Sequence, residues 1–160
     1  MEKKLKIYLD TSVINFLFAD DAPDLKKVTI DFFENHMFHY NIEISDIVIT
    51  EISRTKNIEK RDLLFNAIDK YKLVIKNKLS EEISEFAKYY IDSGIIPKDK
   101  PEDAQHIAFA TFYEFDILLS WNFKHLANIN KQMLVNSLNL QKGFNKQLLL
   151  LNPMEVIYEK

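Results

Sequence analysis

The run DILLS at residues 116–120 constrains the fold most. Its apolar residues Ile117, Leu118 and Leu119 follow one another without alternation, so a strand built from them has no polar face for water. Such a strand belongs inside a sheet covered on both sides, which is the habit of parallel sheets. The rest of the chain agrees with that demand. KLKIYLD supplies a strand from Leu5 to Leu9, NIEIS a second, KLVIK a third, and KQLLLLNP a last one before a terminal turn in PMEVIYE. Helical periodicity lies between them: Leu25, Val28, Phe32 and Phe33 share a face in APDLKKVTIDFFENH, and Ile49 and Ile52 mark DIVITEIS. IEKRDLLFNAIDKY is amphipathic, and LSEEISEFAKYYIDSG has Ser80 as N-cap, acids in its first turn and Gly94 as its stop. EDAQHIAFATFYEF comes after the loop IIPKDKP, and WNFKHLANINKQMLVNSLNLQKG is expected to continue as one or two helices. Alternating strands and helices predict an α/β fold with a mainly parallel central sheet. Ligands of such sheets bind beyond the carboxyl ends of the strands.

The length of 160 residues and the 47% hydrophobic content suit one domain spanning 1–160 with a substantial core. Four prolines, two glycines and no single-sign charge run leave no linker or repeat to divide it. With no cysteine, disulfides and thiolate metal sites are excluded, so any metal must be held by oxygen or imidazole. MEKKLKIYLD has too short an apolar stretch for a signal-peptide core, and no later run reaches bilayer length. A soluble cytoplasmic protein without membrane association is the expectation. The net charge of -3 argues against a broad basic nucleic-acid-binding face. It leaves room for an acidic site whose cation attracts phosphate while rim lysines bind the rest of a strand.

Four oxygen-bearing side chains fall near one edge of the predicted sheet. Asp10 and Asn122 lie just past apolar strands, Asp103 opens a helix feeding into one of them, and Glu51 sits on the helix after the second strand. Hard oxygen donors of this kind match magnesium or manganese. Each also has a plain structural reading. Asp10 and Asn122 are both suitable N-caps, Asp103 is a favourable first-turn acid, and Glu51 suits a solvated helix face. Their shared location is what favours function.

The stretches IYLDTSVI, IVITEI, EDAQHIAFA, DILLSWNFKHL and VNSLNLQKGFNKQLLLLNPMEVI, in this order and spacing, resemble the PIN-domain nucleases, in particular the VapC-type toxins of VapBC toxin-antitoxin pairs. The resemblance covers nearly the whole chain. It implies a three-layer α/β/α PIN-like domain and endoribonuclease activity on single-stranded RNA dependent on Mg²⁺ or Mn²⁺. Position by position, the acidic site of that family falls on Asp10, Glu51 and Asp103, and its fourth acid on Asn122. Thr11, Ser12 and Ser120 match hydroxyls that support the site. A small antitoxin protein and a homodimer are the partners implied, with Phe16, Leu17, Phe18, Phe32 and Phe33 offering either core filling or contact surface.

An amide at 122 removes one negative charge and weakens cation affinity, yet its carbonyl can still ligate or hold a metal-bound water. Asp116 cannot stand in, because six residues of strand put it roughly 20 Å away. Glu102 is either a reserve acid or a first-turn helix charge. Lys98, Lys100, Lys124, His125 and Trp121 are candidate RNA contacts; the plain readings are solvated lysines, a packed histidine and a core indole. His106 has the same two readings as His125, which is better placed, one turn beyond Asn122. A catalytically degenerate PIN-like domain that binds RNA or protein is the alternative that Asn122 raises. A phosphatase using Asp10 as nucleophile would need an acid two residues on, where this chain has Ser12.

Overall fold

A computed structural model describes residues 3–158; the outermost two residues at each end of the expected 1–160 domain lie outside it. Five strands form one all-parallel sheet: β1 (Lys6–Leu9), β2 (Asn41–Ile44), β3 (Val74–Ile75), β4 (Ile117–Leu119) and β5 (Leu149–Leu151), in the order β3-β2-β1-β4-β5. The register sets Ile7 beside Ile42 and Ile117, and Leu9 beside Leu119. Seven α-helices connect them: α1 (Thr11–Asn15), α2 (Pro23–Asp31), α3 (Asp46–Ser53), α4 (Ile58–Lys70), α5 (Glu81–Asp92), α6 (Pro101–Phe112) and α7 (Ile129–Gln141). Among the described residues no helix is long and apolar enough to cross a membrane.

The three-layer architecture is a consequence of the strand pleat. Successive side chains point to opposite faces, so Tyr8 and Leu118 enter one core with Phe86 and Tyr90 of α5, Ile107 and Ala108 of α6, and Val135 of α7. Their neighbours Ile7, Leu9, Ile117 and Leu119 enter the other, against Val13 and Ile14 of α1, Phe32, Val48 of α3 and Leu64 of α4. The central strands β1 and β4 therefore have no exposed face, as the unbroken apolar run of β4 demands. Leu17, Phe32 and Phe33 are buried in this second core, so for these three residues core filling prevails over contact surface.

Three segments depart from the sequence reading. The run from Trp121 is not helical at once: α7 begins only at Ile129, after Asn128 caps it by accepting from the Lys131 N–H. The side chain of Asn122 accepts from the His125 N–H, and the Asn128 amide donates to the carbonyls of Phe123 and Lys124, so local side-chain bonds displace the helical ladder over 122–128. KLVIK contributes only the two residues of β3, at the exposed edge of the sheet, where a short strand limits edge pairing. The helical face through Phe33 passes from α2 into a π-helical turn, Phe32–His36. The caps of α5 are as read: Ser80 accepts from the Ile83 N–H, and Gly94 takes φ +80 beyond the helix.

Leu118 is fully buried between β1 and β5. Leu118→Ala is expected to cost about 2–5 kcal/mol of stability, measured as a lower urea midpoint with an unchanged slope.

Candidate functional site

The parallel strands β1, β2 and β4 end on one edge, and the residue after each is polar: Asp10, Ser45 and Ser120. Asp10 is the N-cap of α1, where its extended backbone lets Oδ1 accept from the Val13 N–H. Two hydroxyls hold its carboxylate: Ser12 Oγ donates to Oδ1 at 2.5 Å and Ser120 Oγ to Oδ2 at 2.5 Å. Each hydroxyl has one proton, and its direction is set from behind. Ser12 Oγ accepts the Trp121 N–H at 2.9 Å and Ser120 Oγ accepts the Asn122 N–H at 2.9 Å, so both protons point at Asp10. Asp10 is only 4% exposed. Burial pushes its pKa up, His106 and the two serines pull it down, Glu51 pushes it up again, and the result lies above the ordinary value.

Glu51, on α3, is anchored through one oxygen. Its Oε1 accepts from Thr11 Oγ1 at 2.8 Å and from His106 Nε2 at 2.6 Å. Because a carboxylate can only accept, Nε2 carries a proton. The other ring nitrogen, Nδ1, is 2.6 Å from the Tyr8 hydroxyl, which lies 2.7 Å from Ser45 Oγ. Burial would raise the pKa of Glu51, but the His106 and Thr11 bonds outweigh it and hold the group below the usual value. For His106 burial favours the neutral ring, and is outweighed by the Glu51 bond and by the charges of Glu51, Asp10 and Asp103, which raise its pKa. Burial holds Tyr8 as the phenol.

Asp103, in the first turn of α6, faces the same edge. Burial raises its pKa to about 6, with Asp10 and Glu51 adding repulsion against the opposing pull of His106 and Lys100. Its Oδ2 accepts from Asn122 Nδ2 at 3.1 Å. The amide orientation is dictated by the other end of the side chain: Asn122 Oδ1 accepts from the His125 backbone N–H at 3.0 Å, and that group can only donate. The nitrogen of Asn122, not its oxygen, thus faces Asp103. Asn122 therefore caps a turn rather than a helix, and it meets the acids through its amide nitrogen rather than its carbonyl.

The remaining candidates divide. Trp121 is 3% exposed, its indole N–H donates to Thr29 and its ring packs near Phe16 and Phe123, so it has no free face for a base. Glu102 pairs with Arg54 at 3.0 Å. Asp116 lies at the opposite end of β4, accepting from the Lys6 backbone and pairing with Lys146. Lys98, Lys100 and Lys124 are exposed. Lys100 acts electrostatically on both Asp103 and His125, and Lys124 on His125. His125 is held toward the neutral ring, by burial first and then by lysines 124, 131 and 100, and its Nδ1 has no hydrogen-bond partner among the described residues. A cleft of about 250 Å³ opens beside the acids, lined by Glu51, Arg54, Glu102 and Gln105 among others. A larger one of about 570 Å³ lies away from them, against Phe86, Phe112 and Phe144.

The residues that sequence reasoning undervalued are His106, Tyr8 and Ser45. The spacing of Asp103 and His106, three apart on one helix and so on one face, was the signal for the histidine. Nothing in KIYL distinguishes Tyr8 from a core aromatic.

Among the described residues no group of three or more His, Asp or Glu side chains forms a ready-made metal cage. Carboxylate oxygens are nonetheless the donor type that a hard cation takes. Three carboxylates act on one another as like charges, and no protein group bonds Glu51 Oε2 or Asp103 Oδ1 among the described residues. Mg²⁺ keeps several waters and needs only one or two carboxylates, so a closed cage is not required.

The fold has counterparts among solved structures. The crystal structure of VapBC2 from Rickettsia felis bound to a DNA fragment from its promoter is similar at a TM-score of 0.54 and 17% identity, over 92% of this chain and 98% of that one. The crystal structure of FitAcB from Neisseria gonorrhoeae is similar at a TM-score of 0.56 and 12% identity, over the same shares of 92% and 98%. No protein-family profile and no curated protein sequence matches the chain. At these identities the likeness shows the fold, the α/β PIN-like one.

The electrostatics of Asp103 predict a pH-dependent substitution effect. A carboxyl whose pKa is raised by folding to about 6 destabilises the folded chain above that pH and ceases to do so as pH falls toward its unfolded value. With chelator present, Asp103→Asn is therefore expected to melt above the native protein at pH 7.5, the gain shrinking toward pH 4.5, as read by calorimetry.

Proposed function

We propose that this chain is a divalent-metal-dependent endoribonuclease of single-stranded RNA and the toxin half of a toxin-antitoxin pair, acting in the cytoplasm as a homodimer until a small antitoxin blocks it. The observation that carries this reading is the convergence of Asp10, Glu51 and Asp103 on the carboxyl edge of a PIN-like sheet, where they repel one another. The sequence resemblance to VapC toxins supports the same activity, and the likeness to VapBC2, a toxin-antitoxin pair, supports a protein partner.

In this mechanism Asp10 and Asp103 would hold Mg²⁺ or Mn²⁺, and Glu51 would bind it or orient the attacking water. The cation, when bound, makes hydroxide available near neutral pH and stabilises charge growing on the phosphate. The protein's own work is alignment. Ser12 and Ser120 fix both oxygens of Asp10, Thr11 and His106 fix Glu51, and the Asn122 amide orients Asp103. Lys98, Lys100, Lys124 and His125 form the rim that binds phosphates along the strand, in a contact that weakens with salt. No protein nucleophile is needed.

The degenerate reading is favoured by one observation: the Asn122 side-chain amide already donates to Asp103 Oδ2 without a cation. Cleavage of a labelled single-stranded RNA, titrated with Mg²⁺ and Mn²⁺ beside Asp10→Asn, separates the two. Metal-dependent cleavage that disappears in Asp10→Asn is expected; silence at millimolar metal, or equal cleavage by the variant, selects the binding domain. Asn122→Asp replaces the donor facing Asp103 by a charge. It is expected to bind Mn²⁺ more tightly by calorimetry and to melt lower in chelator than the native chain.

A further inference from the structure

We infer that His106 is a positioning residue: backed by Tyr8 and Ser45, it fixes one oxygen of Glu51 and leaves the other for the metal or the attacking water. The inference rests on the metal-site reading above and deepens it.

The geometry is a single line of contacts through four elements. Ser45 comes just after β2, Tyr8 is in the middle of β1, His106 is one turn into α6 from Asp103, and Glu51 is on α3. Neighbouring members are 2.7, 2.6 and 2.6 Å apart. The inner three are sealed, with Ser45 and Tyr8 at 0% and His106 at 2% exposure. The Glu51 side chain remains 28% exposed. The line thus begins in the core and ends on a carboxylate that water can reach.

Its inner end does not move easily. The Tyr8 ring packs against Phe109 at 5.1 Å and Phe115 at 5.5 Å between centroids, and Ser45 also accepts the Ile47 N–H as the cap of α3. Both His106 nitrogens are committed, one to Tyr8 and one to Glu51, so the ring has no atom to offer substrate. That excludes a catalytic role by contact. Packing alone does not account for it either, since an apolar side chain would fill the same space without burying two ring nitrogens and a phenol that all need partners. What the polar line adds is direction. A glutamate on a helix has several torsions to settle, and here Thr11 and His106 both bond Oε1 while Oε2 is bonded by no described residue. Partners that orient a metal-binding carboxylate commonly matter 10- to 100-fold to affinity or rate.

The test compares the native chain with His106→Gln, His106→Leu, Tyr8→Phe, Glu51→Gln and the double variant His106→Leu/Glu51→Gln. Mn²⁺ affinity is read by calorimetry, single-turnover RNA cleavage by gel, and folding by melting temperature. His106→Leu is expected to weaken Mn²⁺ binding and slow cleavage about 10- to 100-fold. Tyr8→Phe should fall between it and the native chain, and His106→Gln, whose amide can still donate to Glu51, should recover part of the loss. In the Glu51→Gln background the same His106→Leu change should cost less than about twofold, because its effect runs through Glu51. Unchanged or tighter Mn²⁺ binding in His106→Leu, or a loss that adds in full to that of Glu51→Gln, overturns the positioning role. Should His106→Leu not fold, His106→Gln and Tyr8→Phe carry the same comparison. Mn²⁺ uptake without RNA cleavage overturns only the nuclease reading and leaves calorimetry to decide on His106, whereas a native chain that takes up no Mn²⁺ overturns both.

Discussion

The carboxylate of Asp10 is the point on which the sheet edge depends. An ionisable group with 4% exposure is tolerated only where hydrogen bonds replace its lost water. Here the replacements also build the structure: one oxygen caps α1, Ser12 and Ser120 bind the pair, and the same serines receive the N–H groups of Trp121 and Asn122. The turn after β4 is therefore tied to the helix after β1 through the carboxylate. Removing Asp10 would release both ends of that tie.

Around Asp10 the charges do not cancel. Asp103 and Glu51 add two further carboxylates, and His106 is a buried basic group that acts on all three. The imidazole settles unequally among them. It bonds Glu51 directly and brings that pKa down, while at Asp103 burial and repulsion prevail and carry the group to about 6. The acid left least satisfied is Asp103, whose only protein donor among the described residues is a neutral amide. Hydrogen bonding to an amide moves less charge than an ion pair does, and the pKa of Asp103 stays raised where that of Glu51 is lowered.

The layers of the fold and most of this edge were legible in the sequence, for physical reasons that can be named. The unbroken run of β4 and the strand-helix alternation required a parallel sheet covered on both faces, and strands of that kind bring the residues just beyond their carboxyl ends to one edge. Asp10, Glu51, Asp103 and Asn122 stand out as candidates because each lies near the end of a strand or on a helix next to one. The features that stayed hidden are those decided by tertiary contact. Trp121 looks equally like a stacking platform or a core residue until Thr29 receives its N–H. The stretch 122–128 has helical composition, and only the competing bonds of Asn122 and Asn128 keep it irregular. Tyr8 and His106 come together across 98 residues of chain, a distance over which no local pattern carries information.

Asn122 shows how one side chain can join an acidic edge without a charge. An aspartate here could accept from the His125 N–H as the amide does, but its second oxygen would face Asp103 and add a fourth negative charge to a cluster that already repels itself. The amide instead turns a donor toward Asp103. Three carboxylates and an amide thus share this edge, with Asp103 Oδ1 and Glu51 Oε2 left without protein partners among the described residues. The amide at 122 avoids the repulsion that a fourth carboxylate would add.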